Sequence, residues 1–486
     1  MDFGGSSGRS MLGTFDGEKV VLEELSRFPD FFVEINGICY WDIFMMLKKI
    51  EEALEIAKKR ASEAGSNLVS IGIDAWGTDY CLLDKSGNPL GTAVCERNTQ
   101  GIGRKTVTDL IGREKLYYST GTHSLNGNTL FQLYERKLRE DPQLSSADSF
   151  LMLPDLLGYF LTGVKKTEYS DAATSMILDT AAGKWNTEIL KKLGLPSDMC
   201  PEIVRAGTQK WPLLPQWQKS LKTEDISYVP VFTHDTASAV SAIPYKKGQA
   251  FASSGTWTIM GMVSDRLIIN KEAMEYNFAN SALFDDLYKL HRDFMGMWMI
   301  SGCRNEWEKQ GIHLSWDDIT KAAGEAEPFR TIIDVDEPDF FNSGNMLEKL
   351  ESYCRRTGQE MPDSIGAVSR CVYEGLVLRY MRTMDELRKA SKEEMTSLRI
   401  IGGGGNNFFL DQLLADALEM PVTAGPSEAA AIGNVLSQML ADHGIGSVEE
   451  GWKIAESSFE TVCFKPKASE GWKDFYSKYK KLAGLI

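Results

Sequence analysis

One stretch near the middle of this 486-residue chain, Val229-Pro-Val-Phe-Thr-His-Asp-Thr-Ala-Ser-Ala-Val240, restricts the folds open to it more than any other. An apolar, β-branched run stops abruptly at His234, Asp235 and Thr236, and the small residues Ala237 to Ala242 follow. That order predicts a strand, a polar tip and a closely packed helix. A carboxylate at such a tip is held by rigid elements on both sides and faces the crevice beyond the strand ends, where open α/β sheets bind ligands. Asp235 is therefore the candidate general base. The competing reading makes Asp235 or Thr236 a helix cap that accepts a hydrogen bond from the first free backbone amides.

The N-terminus, Met1-Asp-Phe-Gly-Gly-Ser-Ser-Gly-Arg-Ser10, offers a glycine- and hydroxyl-rich turn. Amides of Gly4, Gly5, Ser6, Ser7 and Gly8 can approach an anion closely, because glycine adds no Cβ and permits positive φ. Asp2 can hold a magnesium ion through water and Arg9 can reach a phosphate. A flexible Gly/Ser tail is the plain alternative. Two strands, Ser10 to Thr14 and Lys19 to Phe28, are expected around an Asp16-Gly17 turn, with a third at Ile38 to Trp41. Apolar residues at 43, 46, 47, 50, 54 and 57 then keep a helical period from Asp42 to Ala64. A buried-type strand, Val69 to Asp74, runs into Ala75-Trp76-Gly77. Three strands in a meander, a helix and a further strand make the opening order of a ribonuclease-H-like domain. Trp76 can stack on a sugar ring and Gly77 can let a hydroxyl near the backbone; a core Trp with a turn Gly explains them equally well.

Residues 100 to 225 read as a mostly helical insertion that shapes a pocket. A second cycle follows, with strands at Gln249 to Ser254 and Thr258 to Val263 around Gly255 and Thr256, which can meet a β- or γ-phosphate or simply turn a hairpin. After a long helix from Ile365, the strand Leu398 to Ile401 breaks into Gly402-Gly-Gly-Gly405 and Asn406-Asn407 before another helix. Four consecutive glycines are costly in chain entropy, so something is expected to pass close to the backbone there, an adenosine phosphate being a good candidate. Neither GxGxxG nor a Walker loop is present.

The length predicts two to three domains. A net charge of −15 argues against nucleic acid and anionic membranes as partners. Eight scattered cysteines without a CxxC pair, and five histidines without HxxxH spacing, argue against a zinc site and fit a reducing cytoplasm. Cys354 and Cys371 flank a turn-rich segment and are read as unpaired thiols. No signal-peptide-like segment and no 18-residue apolar run is found, so a cytoplasmic chain is expected.

Taken together, DFGGSSGR (2–9), YWD (40–42), SIGIDAWGTDY (70–80), NTLFQL (128–133), LPDLLGYFLTG (153–163), EYSDAAT (168–174), FTHDTASAV (232–240), SSGTW (253–257), MGMW (295–298), IIGGGGNN (400–407) and AGPSEAAAIGN (424–434) resemble the FGGY carbohydrate kinases, most closely the rhamnulokinase branch. The resemblance implies an α/β protein of two ribonuclease-H-like, actin/hexokinase-type domains with a cleft between them. The first, 1–243, would carry the sugar site and phosphate loop, and the second, 244–486, the nucleotide site. It implies transfer of the γ-phosphoryl of ATP, with Mg²⁺, to the 1-hydroxyl of L-rhamnulose. Asp235 would take the hydroxyl proton; Trp76, Gly77, His234, Thr236 and Asp293 would face the sugar. Gly5, Ser6, Ser7, Gly8, Arg9, Thr256, Ser301, Gly403, Gly404 and Asn407 would face ATP, and Asp2 the metal. The partners implied are a ketose and ATP, in a monomer or homodimer.

Three positions depart from the branch pattern. Asp293 stands where an Asn precedes MGxW, Ser301 where a Gln contacts ATP, and Glu96-Arg97-Asn98 where YRD is expected. These departures bear on the sugar, with L-fuculose or L-xylulose as alternatives, and a catalytically silent sugar- or nucleotide-binding relative is the remaining reading. The pattern also implies a longer first strand than Met1 and Asp2 provide, so this chain is expected to start late and to bind Mg²⁺ and phosphate less tightly.

Overall fold

The computed structural model describes residues 1–486 apart from Ser6, Asp30, Glu224, Asp285, Ser343, Ala468, Ser469 and Ile486. The alternating N-terminal run forms β1 (Asp2–Phe3), β2 (Ser7–Phe15) and β3 (Val20–Pro29). Asp16 closes the β2–β3 turn by accepting the amides of Glu18 and Lys19 at 2.8 Å each. Ile38–Trp41 is not the third strand of this sheet: it pairs with Phe32–Ile35 in a separate hairpin. The reason is local, because Asn36 and Gly37 both take positive φ (53° and 77°) and turn a tight two-residue loop.

Helix α1 (Ile43–Glu63) is capped by Asp42, whose side chain accepts Met45 N, and buries Ile43, Met46, Ile50, Leu54 and Ala57. The expected Val69–Asp74 strand divides into β4 (Ser70–Ile71) and β5 (Asp74–Ala75). β5 lies parallel to β1, giving the order β3-β2-β1-β5, whereas β4 pairs with β6 (Ser227–Tyr228) in a second sheet. Gly72 stands at the break, where a Cβ would lie 2.4 Å from Val231 and 2.6 Å from Asn434.

Packing separates the chain into two compact units: 1–244 with 264–290 and 429–459, and 245–263 with 291–428 and 460–486. In the first, α2 (Asp235–Ser241) follows directly on the mid-chain tip. In the second, a sheet runs β8 (Trp257–Ser264), β7 (Gln249–Ser254), β9 (Ser397–Ile401), β10 (Val422–Ala424) and β11 (Val462–Phe464). β7, β9 and β10 are mutually parallel, and β8 and β11 flank them antiparallel. Tyr288–Met295 lies on the outer side of β8.

The chain returns to the first unit at α3 (Ala429–Ala441) because that helix carries the small face that α2 needs. Gly433 sits so close that a Cβ would fall 1.9 Å from the Ser238 carbonyl oxygen, and Ser238 Oγ donates to Ala430 O at 2.8 Å. Met1, β2 and β4 border a groove of about 640 Å³ whose walls include Ala53, Leu54 and Ala57 of α1 and Val435 of α3. Among the described residues no helix is long and apolar enough to cross a membrane. All eight cysteines, Cys354 and Cys371 included, are free.

Candidate active site

Asp235 is the first residue of α2, and His234 occupies the cap position in an extended conformation. The His234 side chain makes no cap hydrogen bond, and Asp235 Oδ1 accepts Thr236 Oγ1 at 2.9 Å. The carboxylate is thus left available, with about a third of its side chain open to solvent (31%). Burial, and then the charge of Asp2, push its carboxyl up to about 6, while Thr236 and Lys289 pull the other way. His234 lies 3.7 Å away through Nε2. Burial holds that imidazole well below its ordinary range, and its Nδ1 has no partner among the described residues. A neutral ring of this kind can accept from or donate to a hydroxyl without adding charge.

Two more carboxylates stand next to this one. Asp2 and Asp74 face each other in the parallel β1–β5 register, and Ala75 bridges to His234 on the other side. Asp74 is fully buried; its Oδ2 accepts Asn434 Nδ2 at 2.6 Å, and its Oδ1 has no partner among the described residues. Burial first and Asp2 second drive the Asp74 carboxyl well above the usual range. Like charges this close resist ionising together, and an all-oxygen donor set with an orphaned buried oxygen suits a hard divalent cation.

The N-terminal turn divides the residues expected to meet phosphate. A Cβ on Gly5 would meet no described atom within 4 Å, although the Gly5 carbonyl accepts Arg97 Nη2 at 3.2 Å, whereas a Cβ on Gly8 would strike the Phe28 ring at 2.0 Å. Gly8 is a packing glycine. Ser7 already lies in β2, paired with Pro29, and the Arg9 guanidinium is engaged with Asp2 Oδ2 at 2.7 and 2.8 Å. Ser6 lies outside the described residues.

In the second unit, Thr256 is exposed at the β7–β8 turn, and its carbonyl accepts Gly296 N and Trp298 N at 3.1 and 3.3 Å. This ties the Met295–Trp298 segment to the turn. Gly402 takes φ +79°, Gly403 is open, and a Cβ on Gly404 would lie 2.2 Å from Ser254 Oγ. The glycine turn and Thr256 therefore flank the same end of β7. Asn407 Oδ1 is used as a helix cap, accepting Leu410 N at 3.1 Å, and Ser301 Oγ bonds back to Met297 O at 2.9 Å. Asp293 sits half-buried in Tyr288–Met295.

Sequence reasoning assigned no role to Glu168 and Ser170, although EYSDAAT was noticed. Buried Glu168 accepts Thr233 N at 3.1 Å, Thr233 Oγ1 at 3.2 Å and Ser170 N at 2.9 Å, and Ser170 Oγ accepts His234 N at 3.2 Å. These bonds fix the backbone that presents the base.

Residues 1–240 and 250–441 match the N-terminal and C-terminal domains of the FGGY family of carbohydrate kinases. The chain belongs to this family. A Bacteroides thetaiotaomicron rhamnulokinase is 35% identical over 482 residues, covering 99% of this chain and 98% of the relative. A Bacillus subtilis rhamnulokinase is 32% identical over 472 residues, covering 96% and 95%. Among solved structures, a Rhodospirillum rubrum xylulose kinase has a TM-score of 0.81 at 16% identity, covering 100% of this chain and 97% of that one. Plasmodium falciparum glycerol kinase, solved with ADP, has a TM-score of 0.78 at 14% identity, with coverage of 100% and 97%. The FGGY kinase described here thus has the two-domain actin/hexokinase-like α/β fold and is an ATP-dependent phosphotransferase with a sugar alcohol group as acceptor. Kinases of this family use ATP and typically a divalent metal.

Proposed function

We propose that this FGGY kinase transfers the γ-phosphoryl of ATP to the 1-hydroxyl of L-rhamnulose, giving L-rhamnulose 1-phosphate, with Asp235 as general base. The observation that carries the reading is an uncapped carboxylate at the head of α2, raised to about 6 and set beside a neutral His234. The full-length likeness to rhamnulokinases supports the choice of sugar. Asp235 accepts the hydroxyl proton as the oxygen becomes a nucleophile; His234, Thr236 and the Trp76–Gly77 segment orient the ring. Phosphoryl transfer runs through a loose transition state that asks mainly for alignment and charge neutralisation, so a general base adds about 10²–10⁴-fold rather than the whole rate.

Mg²⁺, when bound, neutralises phosphate charge, and Asp2 would hold it through water, with Asp74 beside it. Gly5, Ser6, Ser7, Arg9, Thr256, Ser301, Gly403, Gly404 and Asn407 would face the nucleotide, whereas Gly8 is taken up by packing against Phe28. In this reading 1–243 serves the sugar and phosphates and 244–486 the adenosine, in a cytoplasmic monomer or homodimer. Asp293, standing where the branch has Asn, favours a second reading in which the ketose is L-fuculose or L-xylulose. A ketose panel with coupled ADP detection decides: turnover highest with L-rhamnulose is expected, highest turnover with another ketose selects the second reading, and binding without turnover on every sugar defeats both.

The raised carboxyl has a pH signature. Because Asp235 must be ionised to act, kcat/KM for the ketose should hold from roughly pH 8 to 7 and fall about tenfold per unit below about 6. An ordinary aspartate would keep the profile flat to about pH 4. A profile still level at pH 5 would contradict the assignment.

A further inference from the structure

We infer that Asp79 is a positioning residue of the sugar site, holding the Trp76 indole and the Trp76-Gly77-Thr78 turn in the conformation that receives the ketose. The inference rests on the reading of Trp76 and Gly77 as sugar-facing. Asp79 is fully buried, and its Oδ2 accepts two indole N–H groups, Trp41 Nε1 at 2.6 Å and Trp76 Nε1 at 3.0 Å. The two rings lie 4.1 Å apart with planes tilted by 41°. Trp41 is an anchor in the core (2% exposed), whereas Trp76 is only partly buried. One carboxylate oxygen therefore couples an immobile ring to one that reaches the surface.

The turn that follows is strained and clamped. Thr78 takes φ +75°, a region that β-branched residues avoid. Its N–H donates to Thr174 Oγ1 at 2.8 Å, and its carbonyl accepts Thr129 Oγ1 at 2.7 Å and Gln132 Nε2 at 3.2 Å. The same Gln132 Nε2 lies 3.3 Å from Asp79 Oδ1, so indole and turn share one network. Thr174 also fills the space beside Gly77, where a Cβ would lie 2.6 Å from Thr174 Cγ2.

The network is joined to the base. Ala75 N donates to Thr233 O at 2.8 Å, so Trp76 leaves the register that the next residue pair, Ala75 and His234, shares just before Asp235. Burial, with the charge of Glu96, pushes the Asp79 carboxyl up to about 7. A buried carboxylate is a costly way to hold two indoles in a core that apolar packing could fill, and such groups are retained where orientation matters. The apolar face of an indole, fixed in this manner, is a platform for the less polar side of a sugar ring.

Asp79→Leu and Asp79→Asn separate positioning from general support. Asparagine keeps one carbonyl oxygen that can accept both indoles and gives up only the long 3.3 Å contact with Gln132 Nε2, whereas leucine keeps no acceptor. Asp79→Leu should raise the KM for the ketose by about tenfold or more while kcat and the KM for ATP stay within about twofold, and Asp79→Asn should restore the ketose KM. The ketose-induced change in tryptophan fluorescence should be lost in Asp79→Leu and kept in Asp79→Asn. Should Asp79→Leu fail to fold, Trp76→Phe carries the test, because it leaves the Trp41 bond intact and should raise the ketose KM alone. An unchanged ketose KM in a folded variant, or equal rises in the KM for both substrates, overturns the inference. A wild-type enzyme that neither turns over nor binds any ketose would instead defeat the proposed function.

Discussion

Asp235→Asn is expected to lower kcat by roughly 10²-fold or more, with little change in the KM for the ketose. The substitution keeps the size of the side chain and its bond with Thr236, so only the ability to take a proton is lost. The same change should leave the fold as stable or more so at neutral pH. In the folded chain the Asp235 carboxyl is raised to about 6 by burial and by Asp2, against about 4 in the unfolded chain. Its contribution to stability is therefore fully present below about pH 4 and is lost as pH rises through about 6. At pH 7 the enzyme carries the cost of an ionised carboxylate beside Asp2, and asparagine removes it. Single-turnover rates and thermal melts at pH 7 check the two halves together. Loss of turnover with an unchanged or higher Tm identifies a functional carboxylate. Full turnover in the variant would leave Asp235 without a role in proton transfer.

That acid was legible because its signal is local. A β-branched run, a polar tip and small helix residues lie within twelve positions; α2 follows the tip but starts two residues early, at Asp235, and of the expected strand only Ser227–Tyr228 and a bridge at His234 form, with 229–233 outside any strand. The glycine turn before Phe408 and the long helix from Ile365 were legible for the same reason. What pairs with what was not. An alternating run such as Ile38–Trp41 announces a strand but not its sheet, and here an Asn-Gly turn sends it to Phe32–Ile35. Gly8 looked like part of an anion cradle, yet it is required by the Phe28 ring, which only the β2–β3 register brings beside it. Asp79 was passed over because its partners are Trp41, 38 residues back, and Gln132, 53 residues on. Glu168 is likewise joined to Thr233 across 65 residues.

Gly433→Val is expected to abolish folding of the first unit, and Gly433→Ala to weaken it measurably. Glycine inside a helix normally costs about 1 kcal/mol relative to alanine, so propensity alone predicts that Gly433→Ala should stabilise α3. Packing predicts the opposite. The new Cβ would lie 1.9 Å from Ser238 O and 2.4 Å from Ser241 Oγ, and the nearer atom is main chain in the α2 ladder, which cannot rotate away. Overpacking of this kind costs about 1–3 kcal/mol, more than the propensity gain, and valine adds two methyl groups and a stiff χ1. The helices must therefore part, and α2 is the helix that begins with Asp235. A displacement of about 1 Å at the base is enough to cost about 10²-fold in rate, so kcat of Gly433→Ala should fall further than its loss of stability alone would require. Circular dichroism melts and kcat measured on the residual folded fraction test both effects. A Gly433→Ala variant with an unchanged Tm and full turnover would show that α3 does not hold the base against β5.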